Sequence, residues 1–457
     1  MPESIPKEIM IKDEQKVIKA LLIQGGHIID PGQGIDETGN LLITEGKISW
    51  RGETPPQPDY DILHAEGLIV CPGFIDLHCH LRQPGFEEKE TIATGTEAAA
   101  RGGFTTICCM PNTNPPLDNQ AVIDYVKSTA ASEGVIRVLP IGCISKGREG
   151  KELADMEELA SAGVIAYSDD GNPVSSPRLM FQALDYSRAL DLPIINHCED
   201  TALTEDGLVN EGKVSAKLGL RGMPAEAEEV MVARDLALAR LTEAHLHIAH
   251  ASTRGTVDLI RRAKDKYVKV TAEVTPHHLT LTEERVIDHG TNAKVNPPLR
   301  TKRDVQALIQ GLKENVIDII ATDHAPHTEA DKLDDFAAAA FGISGFETAL
   351  GSLMTLIHNG QLTLPALISK LTCEPAKIIG NKYGELGTLS IGAPADITIF
   401  DPGRKWVVNT EAFASKGKNT PLAGSVLKGK VMATISQGKL VYKDGCMNLE
   451  RKESSRE

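Results

Sequence analysis

None of the eight cysteines forms a C-x-x-C pair, and several lie inside apolar runs, so buried thiols in a reducing compartment are expected. No run approaches the ~20 apolar residues of a bilayer span. The first residues, MPESIPKEIMIKDEQKVIK, mix Glu, Asp and Lys and lack the apolar stretch of a secretory signal. Basic charge is scarce as well: 48 Lys and Arg against 63 Asp and Glu leave a net charge of -15, with a pI near 5.5. Nucleic acid and anionic membrane are therefore excluded as partners, because both require clustered cations to neutralise phosphates. No G-x-G-x-x-G or P-loop follows a candidate strand, which removes the usual nucleotide sites. A soluble cytoplasmic protein is expected.

What is present is length and alternation. The 457 residues can hold an α/β barrel of roughly 250 or more residues and a smaller companion. From Lys19 to about Ala65, short apolar segments separated by turn signals read as strands, and the pattern returns after Gly384 in ADITIFDP and VMATISQGKLVYKDG. The two apolar runs around Gln437-Gly438 read as a hairpin. Both chain ends (1–71, with 1–18 as an uninterpreted extension, and 381–457) are thus expected to build one small composite β-sandwich domain. The middle, 72–380, alternates eight strand-like runs with Ala-, Leu-, Glu- and Lys-rich stretches: FIDLHCH, TTICCMP, IRVLPIG, VIAYSDD, PIINHCED, HLHIAHAS, VKVTAEVTPHH and VIDIIATDHAPH. Eight strands with intervening helices is the count of a (β/α)8 TIM barrel, and a doubly wound open sheet is the alternative.

Polar residues gather at the C-terminal ends of these runs, the end where barrels carry their active sites. Because residues two apart share a strand face, alternation selects among neighbours. It groups Phe74, Asp76, His78 and His80, with Cys79 pointing away. It also groups Val164, Ala166, Ser168 and Asp170; Ile195 and His197; Leu246, Ile248 and His250; and Ile319, Ala321 and Asp323. Asp169 falls outside, and His245 and His247 read as packing or surface residues.

Six residues are so selected: His78, His80, Asp170, His197, His250 and Asp323. A single H-x-H or strand-end Asp is more often a structural or capping feature. Six compatible groups at five strand ends change that balance. Four imidazoles and two carboxylates suit Zn, with Mn, Fe or Co as alternatives. Six ligands exceed one tetrahedral ion, and a central carboxylate such as Asp170 can bridge two ions and activate a hydroxide between them.

The motifs PGFIDLHCHLRQPG, MPNTNP, SDDG, NHCED, HIAHAST, EVTPHHLTL, KVNPPLR and ATDHAPH, followed by FGISGFET, occur together and in order. In these the sequence resembles bacterial class I dihydroorotases of the amidohydrolase superfamily, from about Lys19 almost to the end. The resemblance implies a metal-dependent (β/α)8 barrel and reversible cyclisation of N-carbamoyl-L-aspartate to (S)-dihydroorotate, the third step of de novo pyrimidine biosynthesis. It implies two Zn2+ ions, one on His78, His80 and Asp323 and one on His197 and His250, bridged by Asp170. YSDDG has no lysine where other branches of the superfamily use a carboxylated lysine as the bridge.

By the same resemblance Asp323 doubles as general acid/base for a zinc-activated hydroxide. Arg82, Asn112, Asn296, His327, Phe341 and Gly342 bind substrate, with Arg82 as a planar carboxylate fork. On their own residues Asn112 reads as an Asx turn and Asn296 as part of the NPP turn, and only the resemblance turns both toward the pocket. His277, His278 and His324 read as supporting or core residues. A homodimer is the expected assembly, with association to aspartate transcarbamoylase open. The rivals are an allantoinase or dihydropyrimidinase, against which Arg82 and the aspartate bridge speak, and a catalytically silent partner of the transcarbamoylase.

Overall fold

The computed structural model describes residues 20–56, 59–333, 335–447 and 449–450; the 1–18 extension lies outside them. Five strands come first: β1 (Ala20–Asp30), β2 (Ile35–Thr44), β3 (Lys47–Gly52), β4 (Asp61–His64) and β5 (Ile69–Pro72). The barrel strands follow as β6 (Phe74–Cys79), β7 (Phe104–Cys109), β8 (Arg137–Pro140) and β9 (Ile194–Asn196). A short two-stranded excursion, β10 (Val209–Asn210) with β11 (Gly222–Met223), precedes β12 (Leu246–Ile248), β13 (Val270–Val274) and β14 (Ile319–Ile320). The chain ends on β15 (Ile397–Val407), β16 (Val426–Ser436), β17 (Lys439–Lys443) and β18 (Leu449–Glu450).

Both chain ends share one sheet, ordered β17-β16-β15-β5-β1-β2-β3, with β4 on β1 and β18 on β4. Its strands obey the period of two. Leu21, Ile23, Leu41 and Ile43 enter one core with Val70, Ile397 and Ile435, while Ala20, Leu22 and Leu42 enter another beside Trp50 and Tyr60. Gln437 and Gly438 both have positive φ, 51° and 76°, and Ser436 pairs with Lys439. That two-residue loop matches the right-handed twist of its strands, as the sequence predicts.

The barrel has eight staves, but only seven are regular strands. Where VIAYSDD was expected to form the fourth, Tyr167 makes single parallel bridges to Gly142 and Ile194, and Ser168 begins to leave the sheet. Asp169 explains the departure: its carboxylate accepts from the backbone N–H groups of Ile144 and Ser145, fastening the turn instead of the ladder. A bridge between Cys79 and His324 closes the ring. Leu77, Cys108, Leu139, Ile141, Ala166, Ile195 and Ile319 fill the interior, with Ile379 and Leu386 from the chain beyond the barrel among them. A larger cluster lies between strands and helices. Among the described residues no helix is long and apolar enough to cross a membrane.

Alternation fails at three staves. Phe74 packs outward on Phe104 and Phe400, with centroids 5.8 and 6.3 Å away, whereas Ile75 and Leu77 are inside. Between Asp76 and Cys79 the strand takes three steps against two on β7, a bulge that re-aims the residues after it. In β12, Leu246 and Ile248 join Val257 and Ile260 on the helix side. His247 is fully buried and faces Glu273, so of packing and surface it is the packing role that holds. Val164 likewise belongs to the helix-side cluster.

Candidate metal and substrate site

The six residues selected from the sequence converge above the apolar filling of the barrel. His78, His80 and Asp170 form one set of possible ligand atoms, and Asp170, His197 and His250 a second; within each set the atoms lie within 4.8 Å of one another. Asp170 belongs to both. Its Oδ1 stands 3.4 Å from His78 Nε2, 3.6 Å from His197 Nδ1 and 3.5 Å from His250 Nε2, and its Oδ2 is 3.6 Å from His80 Nε2. Asp323 Oδ1 lies 3.0 Å from His80 Nε2 and 3.5 Å from His78 Nε2. All six are buried.

These residues fit bound metal. His78 Nε2 and Asp170 Oδ1 are buried without a hydrogen-bond partner, a costly state for two polar atoms unless a further group is shared between them. The donors are nitrogen and oxygen only, the set borderline and hard divalent ions prefer. Burial opposes charge on Asp170, but His78, His197 and His250 outweigh it and hold the carboxyl well below its ordinary range.

Backbone geometry delivers several of these groups. β12 stops at Ile248, and His250 reaches the cluster because its φ is 29°; Asp323, beyond β14, has φ 46°, and Arg82, beyond β6, has φ 62°. Non-glycine residues rarely adopt this region, and such strain persists only where the surroundings enforce it. Sequence alternation chose His250 through a face its strand does not present.

The remaining expected residues line one cavity of about 210 Å³ with the ligands: Arg82, Asn112, Asn296, His327, Phe341 and Gly342, together with His80, Asp170, His197, His250 and Asp323. His78 lies behind it. Asn112 is not an Asx turn, since its Oδ1 faces His80 Nδ1 at 2.8 Å. Asn296 Nδ2 donates to Glu199 Oε2 at 2.8 Å. Arg82 donates through Nε to Pro326 O, and its Nη2 is 3.2 Å from His327 Nε2. Burial lowers the guanidinium to about 10, which leaves it charged at neutral pH. His277, His278 and His324 are buried, and His324 stacks on Phe346 at 4.1 Å.

Two carboxylates were missed. Glu273 Oε1 is 2.5 Å from His78 Nδ1, and its Oε2 is 3.1 Å from His247 Nε2. Glu199 Oε2 is 3.0 Å from His197 Nε2, and Thr204 Oγ1 donates to Oε1 at 2.6 Å. Burial opposes the charge of Glu199, yet His197, Thr204 and Asn296 hold it down to about 2. Each acid steadies a histidine from the side facing away from the cluster, as carboxylates behind metal-binding imidazoles do. A sequence signal existed for Glu273: in VTAEV it is the one charge in a buried strand.

Residues 67–256 match the family model described as dihydro-orotase-like. A dihydroorotase of Thermoanaerobacter sp. (strain X514) is 52% identical over 93% of this chain and 97% of its own, and one of Aquifex aeolicus 50% identical over 93% and 99%. Among solved structures, the L-hydantoinase of Arthrobacter aurescens superposes with a TM-score of 0.84 at 24% identity, covering 94% of this chain and 97% of that one. The dihydropyrimidinase of Brevibacillus agri gives 0.80 at 22%, covering 93% and 95%. At such identity these two speak for the amidohydrolase barrel fold alone. With half its residues shared along almost the full length of the curated relatives, the chain belongs to the dihydroorotase family.

Proposed function

We propose that this protein is a zinc-dependent cyclic amide hydrolase that interconverts N-carbamoyl-L-aspartate and (S)-dihydroorotate, a step of pyrimidine biosynthesis. The observation that carries the reading is a single cavity joining two histidine–aspartate ligand sets to one arginine at its wall. Both forms of the substrate carry a carboxylate beside the scissile amide. A ligand set without such a cation would serve an uncharged ring equally well.

His78, His80 and Asp323 would hold one ion and His197 and His250 the other, with Asp170 between them. When bound, the ions supply Lewis acidity for the amide carbonyl and lower the pKa of water. The protein's own contribution is placement. Asp323, at the cavity wall 3.0 Å from His80, takes the proton of the attacking water and hands it to the departing amide nitrogen; in the closing direction the transfers reverse. Arg82 binds the ring carboxylate through paired N–H groups. Asn112 and Asn296, each fixed by its contact to His80 or Glu199, direct their cavity-facing atoms at the ring. His327, Phe341 and Gly342 complete the lining.

The direct test is hydrolysis of dihydroorotate by the purified chain, with zinc content measured alongside and Asp323→Asn as control. Turnover in the wild type and a loss of roughly 10²- to 10⁴-fold in the variant are expected. Zinc-loaded protein that turns over hydantoin or dihydrouracil instead of dihydroorotate would overturn the substrate assignment. We extend the reading to two ions per chain, a cytoplasmic homodimer and docking on aspartate transcarbamoylase. Metal stoichiometry and sizing of the chain with and without that enzyme check these separately.

A further inference from the structure

Two lysines beside the cavity are buried without a carboxylate partner among the described residues. Lys294 is 1% exposed and Lys332 6%. A buried ammonium normally sits against an acid, because losing its hydration is costly. Here every donor is satisfied by backbone. Lys294 Nζ donates to the carbonyls of Phe336, Ala337 and Ala339 at 2.7, 3.1 and 2.6 Å. Lys332 Nζ donates to those of Thr291, Lys294 and Ala340 at 3.0, 3.2 and 2.7 Å. An ammonium has three hydrogens, and each finds one carbonyl.

The carbonyls so gathered belong to two adjoining segments that each run into the lining of the substrate cavity. Lys294 lies two residues before Asn296 on one wall. Phe336 to Ala340 lead directly into Phe341 and Gly342, the adjoining stretch of that wall. Gly342 N–H also donates to Lys294 O at 3.0 Å, and Lys294 Nζ sits 4.3 Å from the centre of the Phe341 ring. The wall has little slack: Gly342 has φ 147°, and a Cβ there would come within 2.7 Å of Ala325 O and 3.0 Å of His327 Cδ2. The irregular segment from 335 to 342 has no ladder of its own to fix it. Asn419 Nδ2 holds Gly342 O at 3.0 Å and His327 Nε2 lies 2.8 Å from Phe341 O, while the two ammonium groups gather the carbonyls of Phe336, Ala337, Ala339 and Ala340.

We propose that Lys294 and Lys332 are positioning residues that hold the Phe341–Gly342 wall at a set distance from Asn296, and so determine how tightly the ring is gripped. This rests on the dihydroorotase reading for its substrate, though neither lysine touches the ligand cluster. Burial lowers the pKa of both, against the more distant charge of Asp335 for Lys294 and Asp331 for Lys332, and repulsion by Lys294 adds to the shift of Lys332. A cation kept in so unfavourable a place, with no carboxylate within bonding distance among the described residues, is retained for its three directed bonds.

The experiment compares Lys294→Met and Lys332→Met with wild type, using dihydroorotate as the probe. Expected are a KM raised roughly 10- to 100-fold, kcat of the same order as wild type, unchanged zinc content and faster amide exchange confined to 335–342. The equilibrium constant is fixed by the reactants, so kcat/KM must fall by the same factor in both directions. Should the Met variants not fold, Lys294→Gln and Lys332→Gln keep two N–H donors and take their place. A KM within twofold of wild type, or loss of zinc alongside the KM change, would overturn the proposal. So would failure of all four variants to fold, because the lysines would then support the fold as a whole. Absence of dihydroorotase activity in wild type counts against the activity itself, and exchange over 335–342 still tests the wall.

Discussion

His78 Nδ1 lies 2.5 Å from Glu273 Oε1, and both side chains are fully buried. The contact leaves Nε2 as the nitrogen turned toward Asp170 and Asp323. Glu273 in turn accepts from His247 Nε2, and His247 Nδ1 reaches Thr271 Oγ1 at 2.8 Å. The imidazole is therefore locked in one tautomer and one orientation by a chain running down into the barrel.

Removing that lock should weaken metal binding before it alters chemistry. For Glu273→Ala, zinc affinity measured by chelator competition should fall roughly 100-fold, and for Glu273→Gln, which keeps an acceptor, roughly 10-fold. Saturating zinc should restore much of the lost turnover. Undiminished affinity in the alanine variant would show that His78 needs no partner behind it. Stripping the ions from wild type should also lower its Tm, because a ligand bound only to the native state stabilises it by linkage.

Glu273 also marks where the sequence stopped being informative. Alternation worked for Ile195 with His197, where no left-handed residue intervenes, and at Asp323 it chose the right residue although backbone with φ 46°, beyond β14, delivers it. It failed at Phe74, where a bulge adds a residue, and in β12, where left-handed backbone at His250 reverses the facing. Neither event leaves a Gly or Pro as a warning. The chain-end sheet was plain in its period-two pattern and its Gln437-Gly438 turn. Arg82, Asn112, Asn296 and His327 came from family resemblance, because each sits on irregular backbone where no periodicity applies. Lys294 and Lys332 carried no signal, since lysine in sequence reads as surface.

Arg82 should be intolerant of the change to lysine. A guanidinium meets a carboxylate with two parallel N–H groups, and an ammonium cannot reproduce that geometry. Losing one charge-assisted bond predicts a KM for dihydroorotate roughly 10- to 100-fold higher in Arg82→Lys. Zinc content should not change, since Arg82 contacts His327 and Pro326 and no ligand. A steady-state titration at fixed zinc decides the point, and an unaltered KM would remove the fork.

Stability should fall with rising pH through a group far from the chemistry. Glu347, on the helix Phe346–His358, accepts from Ser415 N at 3.2 Å and lies 3.9 Å from Arg101, but burial prevails and raises its pKa from 4.5 to about 8. Because the folded pKa is the higher one, the native state holds the proton more tightly than the unfolded chain. That contribution is complete below pH 4.5 and is lost as pH rises toward 8. Urea unfolding of Glu347→Gln should show a flatter dependence across this window than wild type. Equal slopes would mean that Arg101 keeps the carboxylate charged.

The proton balance of the reaction ties the cavity to its substrate. Open N-carbamoyl-L-aspartate has two carboxylates and the ring one, so hydrolysis releases a proton and closure consumes one. The ratio of open acid to ring should rise about tenfold per pH unit near neutrality. A pH indicator in weak buffer reads that release turnover by turnover. Hydrolysis of dihydrouracil would release a proton too, so stoichiometry alone fixes the reaction class but not the ring. Arg82 supplies the missing discrimination, because only dihydroorotate offers it a carboxylate. Wild type should prefer dihydroorotate over dihydrouracil, and Arg82→Met should lose most of that preference by losing activity on the charged ring alone. If both substrates declined together, Arg82 would be shaping the cavity instead of reading the charge, and the assignment of dihydroorotate would rest on the ligand geometry and family membership without it.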